Sequence, residues 1–193
     1  MKQPFQQNRR SRVFERPKID GIHIRTASSG DAAAIAKIYN EGIEDRVATF
    51  ETELRSADDQ QAWLRSNAGR YPAVVAHFDG EIIGWAGAGS YRDRECYRGI
   101  GEFSMYVRRD WRSRGVGDLL VAGLITEAER LGLWKLLSRI FPFNEASRAL
   151  CRKHGFREVG VYEKHGRLDG EWLDVVIVER LISSNLNAVS CEA

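Results

Sequence analysis

"WRSRGVGDLL", residues 111–120, runs two arginines and two glycines into the start of an apolar segment. A glycine-rich loop that opens a helix is a natural anion site. The first-turn N–H groups have no intrahelical acceptor, the helix dipole adds partial positive charge, and glycine lets a ligand approach the backbone. A dinucleotide fingerprint needs G-x-G-x-x-G after a strand. Gly115 and Gly117 supply two glycines, but Leu120 stands where the third belongs, and no acidic ribose partner follows on a second parallel strand. A nucleotide loop needs a lysine and a hydroxyl directly after its last glycine. Asp118 and Leu119 stand there instead. What remains is Arg112-x-x-Gly115-x-Gly117, with Arg114 adding charge. It is either a loop for some other phosphorylated ligand or a solvated turn, and the spacing favours neither.

Working outward, "GEFSMYV" (101–107) predicts a central strand before the loop. Leu119, Leu120, Gly123, Leu124 and Ala128 predict one face of a helix ending near Leu131. "WKLLSRIF" (134–141) reads as a strand. "NEASRALCRKHGF" reads as a helix with Asn144 as N-cap and Gly155 past its end. "REVGVYEK" and "EWLDVVIVERL" are the last two strands. On the N-terminal side, "HIRTA" (23–27) alternates as a strand. Two capping-box patterns follow, Ser28 with Asp31 and Ser56 with Asp59. The first opens a helix whose stripe is Ile35, Ile38, Tyr39 and Ile43; the second turns Trp63 and Leu64 inward. "AVVAHF-DG-EIIGWAGAG" is a hairpin about Asp79-Gly80. The expected fold is α/β (α+β): one domain over 22–182, with a mixed, mostly antiparallel sheet of about six to seven strands flanked by helices. Residues 1–21 are expected to form a flexible basic extension and 183–193 a loose tail.

Bulk composition fits one soluble domain. The 193 residues are 43% hydrophobic and 29% charged, with net charge +2, so no global field points to nucleic acid. Lys2, Arg9, Arg10, Arg12, Arg16 and Lys18 crowd the N-terminus against Glu15 alone. A flexible tail explains them; a nucleic-acid arm or transit peptide is the alternative. No apolar run approaches a membrane span or a signal-peptide core. Cys96, Cys151 and Cys191 form no C-x-x-C, which suggests reduced thiols and a cytoplasmic setting. His23, His77, His154 and His165 show no ligand spacing, so no metal is expected.

The Arg-x-x-Gly-x-Gly loop after "FSMYV" resembles the acetyl-CoA pyrophosphate loop of GNAT-type N-acetyltransferases. The resemblance runs from about His23 to Ile182. It narrows to the phosphinothricin acetyltransferase branch, arsinothricin acetyltransferases included, on five segments: "IYNEGIEDRVATFETE", "YPAVVAHFDGEIIGWA", "YRDRECYRGIGEFSMYV", "NEASRALCRKHGF" and "DGEWLDVVIVER". It implies acetyl-CoA as co-substrate, a small amino-acid-like acceptor, a homodimer, and resistance by detoxification.

Acetyl transfer from a thioester to an amine needs positioning, a base and donors for the oxyanion. Similarity to "E-x-T-V-Y-V" of the branch makes Glu102 the base. Read from its neighbours alone, an acid among Phe103, Met105 and Tyr106 suits a raised pKa, while a solvated strand end is the plain alternative. The resemblance further implies that the Glu102 strand splays from "WKLLSRIF", leaving pantetheine in the gap and an N–H near Tyr106–Val107 toward the thioester carbonyl. Arg112, Arg114, Gly115, Val116 and Gly117 would hold the pyrophosphate. Asn144 would touch the CoA arm, although a plain N-cap explains it equally well. Arg94 and Tyr97 match positions that hold a substrate carboxylate, with solvated arginines as the alternative. Phe50 matches a pocket aromatic.

Two departures stand out. Many relatives carry a tyrosine general acid in the helix that Asn144 opens; here Leu150-Cys151 stands in that region. The branch commonly has "K-H-G-x-W-x-D-V" near its end; this chain reads "LDGEWLDV", with Asp169 at the histidine position. Methionine sulfoximine or sulfone is the alternative acceptor. A non-catalytic acyl-CoA-binding or nucleic-acid-associated module is the alternative class.

Overall fold

The structure, a computed structural model, describes residues 20–186. Residues 1–19 and 187–193 lie outside them, and with them most of the expected basic extension and part of the expected tail. The chain runs β1 (His23–Thr26), α1 (Ala32–Glu44), α2 (Ala57–Asn67), β2 (Ala73–Phe78), β3 (Glu81–Ser90), β4 (Ile100–Val107), α3 (Val116–Arg130), β5 (Lys135–Ile140), α4 (Glu145–Lys153), β6 (Arg157–Leu168), β7 (Glu171–Leu181) and α5 (Ser183–Leu186).

Both capping boxes form. Ser56 accepts from the Asp59 N–H at 3.1 Å, and Asp59 accepts in return from the Ser56 N–H at 2.8 Å. The Ser28–Asp31 box precedes α1 and is reinforced by Arg25, which reaches Asp31 with two hydrogen bonds of 2.7 Å. Asp79 and Gly80 both take positive φ, the geometry of a tight two-residue hairpin turn.

The seven strands are ordered β1-β2-β3-β4-β5-β7-β6. Every neighbouring pair is antiparallel except β4–β5. Alternation along the strands sends side chains to two faces. Ile35, Ile38 and Leu64 of α1 and α2 bury one face against Val75, Trp85 and Tyr106. Val116, Leu120, Val121, Leu124 and Ala128 of α3, with Cys151 of α4, bury the other against Ile83, Phe103, Leu136 and Ile140.

One feature of the sheet positions the site. β4 pairs with β3 as far as Val107, and β5 pairs with β7 as far as Ile140. Between themselves, β4 and β5 pair only from Ile100↔Lys135 to Glu102↔Leu137. Past that point the two middle strands diverge, and the sheet opens as a fork.

The expected loose tail is corrected at its start. Ser183–Leu186 is a helical turn fastened to the end of α3. Ser184 reaches the Glu129 carboxylate at 2.6 Å, and the Asn185 amide donates to the Glu129 and Leu133 carbonyls at 2.8 Å each.

Candidate active site

The fork is pinned at its apex. The Ser138 hydroxyl donates to the Phe103 carbonyl at 2.8 Å, standing in for a missing ladder bond. On the α1–α2 face of the fork lies a cavity of about 520 Å³. Its walls include Glu102, Tyr106 and Arg139 from the diverging strands, and Tyr39, Phe50 and Glu51 from α1 and the loop after it. That loop is held in place. The Asn40 side chain brackets the Arg55 backbone, donating to its carbonyl at 3.0 Å and accepting from its N–H at 2.8 Å. Phe50 packs edge-on against Phe141 at 4.9 Å.

Glu102 faces the cavity in an ion pair with Arg139 of β5. The apolar surroundings suggested by its sequence neighbours are therefore not what it meets. Phe103 and Met105 point to the opposite face, as alternation requires, and a guanidinium sits at the carboxylate.

A groove of about 450 Å³ leads from the fork to the N-terminus of α3. It is lined by Met105, Tyr106, Val107, Arg112, Gly115, Gly117, Asn144 and Lys153, among others. The quoted loop forms a short 3-10 turn, Arg109–Trp111, and then reaches Gly115 at φ +88, just before the first residue of α3. A Cβ at Gly115 would meet nothing within 4 Å, so the position opens onto the groove. Gly117 is tighter, since a Cβ there would lie 3.1 Å from Leu150.

Arg112 ties the loop down. It donates to the Val107 carbonyl at 3.1 Å and pairs with Asp45 at the end of α1. Burial works to raise the Asp45 carboxyl, but hydrogen bonds from Arg109 and Arg112 outweigh it and hold it below the usual range. Asp118 in the first turn of α3 behaves alike: burial is outweighed by Lys153 at 2.6 Å and His154 at 2.9 Å.

The other expected site residues are distributed as follows. Arg114 lies over the Trp111 ring at 5.2 Å, and Val116 is buried under β3; neither lines the groove. The Tyr106 ring is buried, stacked on Trp85 at 5.5 Å and tilted against Tyr39 at 4.7 Å. Asn144 caps α4 by accepting from the Ser147 N–H at 3.1 Å, and it donates to the Val47 carbonyl at 3.2 Å. It thus joins the α4 entrance to the loop after α1. Arg94 precedes the exposed turn Glu95–Tyr97, whose last residue, Tyr97, packs edge-on against Tyr91 at 5.7 Å. Neither lines the Glu102 cavity or the groove. Asp169 stands at φ +49 in the β6–β7 turn and pairs with Arg46 at 3.2 Å.

Cys151 is buried beside the fork, and burial pushes its thiol up to about 11. An ordinary thiol titrates near 8.5, so Cys151 is the weaker acid and a poor proton donor to a departing thiolate.

Ser138 and Arg139 were not reached from the sequence. Their signal is the polar pair that interrupts the apolar run "WKLLSRIF" in a central strand.

Comparison with known proteins agrees with this geometry. Residues 24–177 match the family described as Acetyltransferase (GNAT) domain. An L-methionine sulfoximine/L-methionine sulfone acetyltransferase of Pseudomonas aeruginosa is 35% identical over 158 residues, covering 81% of this chain and 92% of the relative. A phosphinothricin N-acetyltransferase of Streptomyces coelicolor is 32% identical over 163 residues, covering 82% and 95%. Among solved structures, a phosphinothricin acetyltransferase from Sinorhizobium meliloti in complex with AcCoA superposes with TM-score 0.77 at 31% identity, covering 83% of this chain and 88% of that one. The chain belongs to the GNAT acetyltransferase family.

Proposed function

We propose that this protein transfers the acetyl group of acetyl-CoA to the α-amino group of a small amino acid of the glutamate-analogue type. Phosphinothricin- or arsinothricin-like compounds and methionine sulfoximine or sulfone are the acceptor candidates, and detoxification is the cellular role. The observation that carries the reading is the placement of Glu102 at the apex of the fork, between an open cavity and a groove running to a helix N-terminus.

In this reading acetyl-CoA lies along the groove. Its pyrophosphate meets the N-terminus of α3 at Gly115 and Gly117, where N–H groups and dipole favour an anion. Its pantetheine arm adds to the strand edges freed beyond Glu102 and Leu137, in the manner of strand addition. The acceptor enters the cavity with its ammonium toward Glu102. The carboxylate takes one proton, and the nitrogen lone pair attacks the thioester carbonyl. The C–S bond then breaks and the thiolate leaves without a protein acid from α4. The chain is further read as a homodimer, a reading supported by the exposed Val159, Val161, Tyr162 and Trp172 on β6 and β7.

The test is a panel of phosphinothricin, methionine sulfoximine, methionine sulfone and ordinary amino acids, each assayed for free CoA release with acetyl-CoA. Turnover confined to amino acids of this shape supports the proposal. CoA binding without turnover on any of them favours a non-catalytic acyl-CoA module.

A further inference from the structure

The Glu102 cavity holds three carboxylates, Glu51, Glu53 and Glu102, and the guanidinium of Arg139. Glu51 is already paired with Arg55 at 2.6 Å. Arg139 sits two residues past the last β4–β5 pair, Glu102↔Leu137. Ser138, between them, is turned away to the Phe103 carbonyl. Alternation therefore delivers Arg139 to the face that Glu102 occupies, across the opening of the fork. The two side chains are 38% and 25% exposed, so solvent reaches the pair and its ions are accessible. A solvent-reached ion pair adds little to stability. Arg94 and Tyr97, the carboxylate holders implied by family resemblance, do not line this cavity.

We propose that the Glu102–Arg139 pair is the docking site for the zwitterionic headgroup of the acceptor, with Arg139 taking the α-carboxylate while Glu102 takes the ammonium. This rests on the amino-acid acetylation reading above. In an α-amino acid the two charged groups share one carbon, so they lie about as close together as the two side chains that receive them. Binding exchanges one ion pair for two and leaves no charge alone. The guanidinium fork receives a carboxylate through two parallel N–H bonds. The same exchange loosens Arg139's hold on Glu102 as the ammonium arrives, which leaves the carboxylate facing the proton it must accept. Selection thus acts on the headgroup: an amine without the carboxylate would leave Arg139 on Glu102.

The experiment compares L-methionine sulfone and phosphinothricin with their neutral α-carboxamides, using wild type, Arg139→Gln and Arg139→Lys. Wild type should prefer each acid over its amide by roughly 10- to 100-fold in kcat/KM, the scale of one charge-assisted contact. Arg139→Gln should erase that preference, raising KM for the acid while the amide is turned over at least as fast as by wild type, since Glu102 is then no longer held. Arg139→Lys, which keeps the cation but loses the fork, should recover part of the preference. KM for acetyl-CoA and the melting temperature should hold in both variants. An equal loss on acid and amide would make Arg139 a positioning residue for Glu102 and overturn the proposal, as would acid-over-amide selectivity that survives Arg139→Gln. If wild type acetylates none of the four compounds, the amino-acid reading itself fails and this proposal falls with it.

Discussion

Ser138 and Phe103 meet where β4 and β5 part: the buried hydroxyl of one donates to the main-chain carbonyl of the other at 2.8 Å. The contact sets where the fork begins. Without it, the Phe103 carbonyl would be buried with no donor. Ser138→Ala should cost about 1–3 kcal/mol, the usual penalty for orphaning a buried polar group. Chemical denaturation gives the loss directly. A variant as stable as wild type would show that the apex needs no pin.

Glu102 tests the chemistry. Glu102→Gln keeps the shape and removes the base, so kcat should fall roughly a hundredfold or more. The residual rate should climb with pH, because more acceptor amine is then neutral in solution. Acetyl-CoA affinity, measured by titration calorimetry, should barely move. Wild-type kcat with a wild-type pH profile would make Glu102 structural.

Gly115 tests the anion site. Its φ of +88 and open surroundings mean that an added side chain projects toward the groove. Gly115→Asp should weaken acetyl-CoA binding tenfold or more, through charge repulsion and blocked approach. The left-handed backbone adds a stability cost of about 1 kcal/mol. Gly117→Asp is the poorer probe, since its Cβ would crowd Leu150 at 3.1 Å. Unchanged affinity in a folded Gly115→Asp protein would remove the loop from the site.

Cys151 is predicted to be a bystander. With its thiol held up to about 11, it has no useful proton to give a leaving thiolate. Cys151→Ala should keep kcat within about twofold at temperatures well below its melting point. A tenfold drop in kcat with an altered alkaline limb would instead assign it as the acid.

Asp31 links stability to pH. The Arg25 hydrogen bonds, the largest influence, hold its carboxyl at about 2 against an ordinary 3.8. A carboxyl depressed on folding adds stability that is fully present above the unfolded value and lost as pH falls through the folded one. The contribution should therefore be full above about pH 4 and fade toward pH 2. Its worth is about 1–2 kcal/mol, moderated by solvent around Arg25. Asp31→Asn should lower the melting temperature at pH 6, and the gap to wild type should close by pH 2. A gap that persists at pH 2 would assign the loss to packing.

Much of this protein was legible from the chain itself. The capping boxes at Ser28 and Ser56, the Asp79-Gly80 turn, the apolar face of α3 and the Asn144 cap are local devices, each complete within a few residues, so composition and spacing suffice to read them. The glycine loop before α3 and Glu102 were legible as residues, but what surrounds them was not. Glu102 and Arg139 are 37 positions apart and meet because a crossover through α3 lays β5 beside β4 in parallel and the two strands then separate. Arg112 and Asp45 are 67 apart and meet because α1 ends beside the loop. Arg94 and Tyr97 looked equally suited to a carboxylate, yet the exposed turn that carries them precedes β4 and does not line the cavity. Side-chain chemistry is carried by the sequence at each position. Which charge faces which is decided by strand register and by the packing of distant elements, and those exist only once the sheet has closed around its two cores.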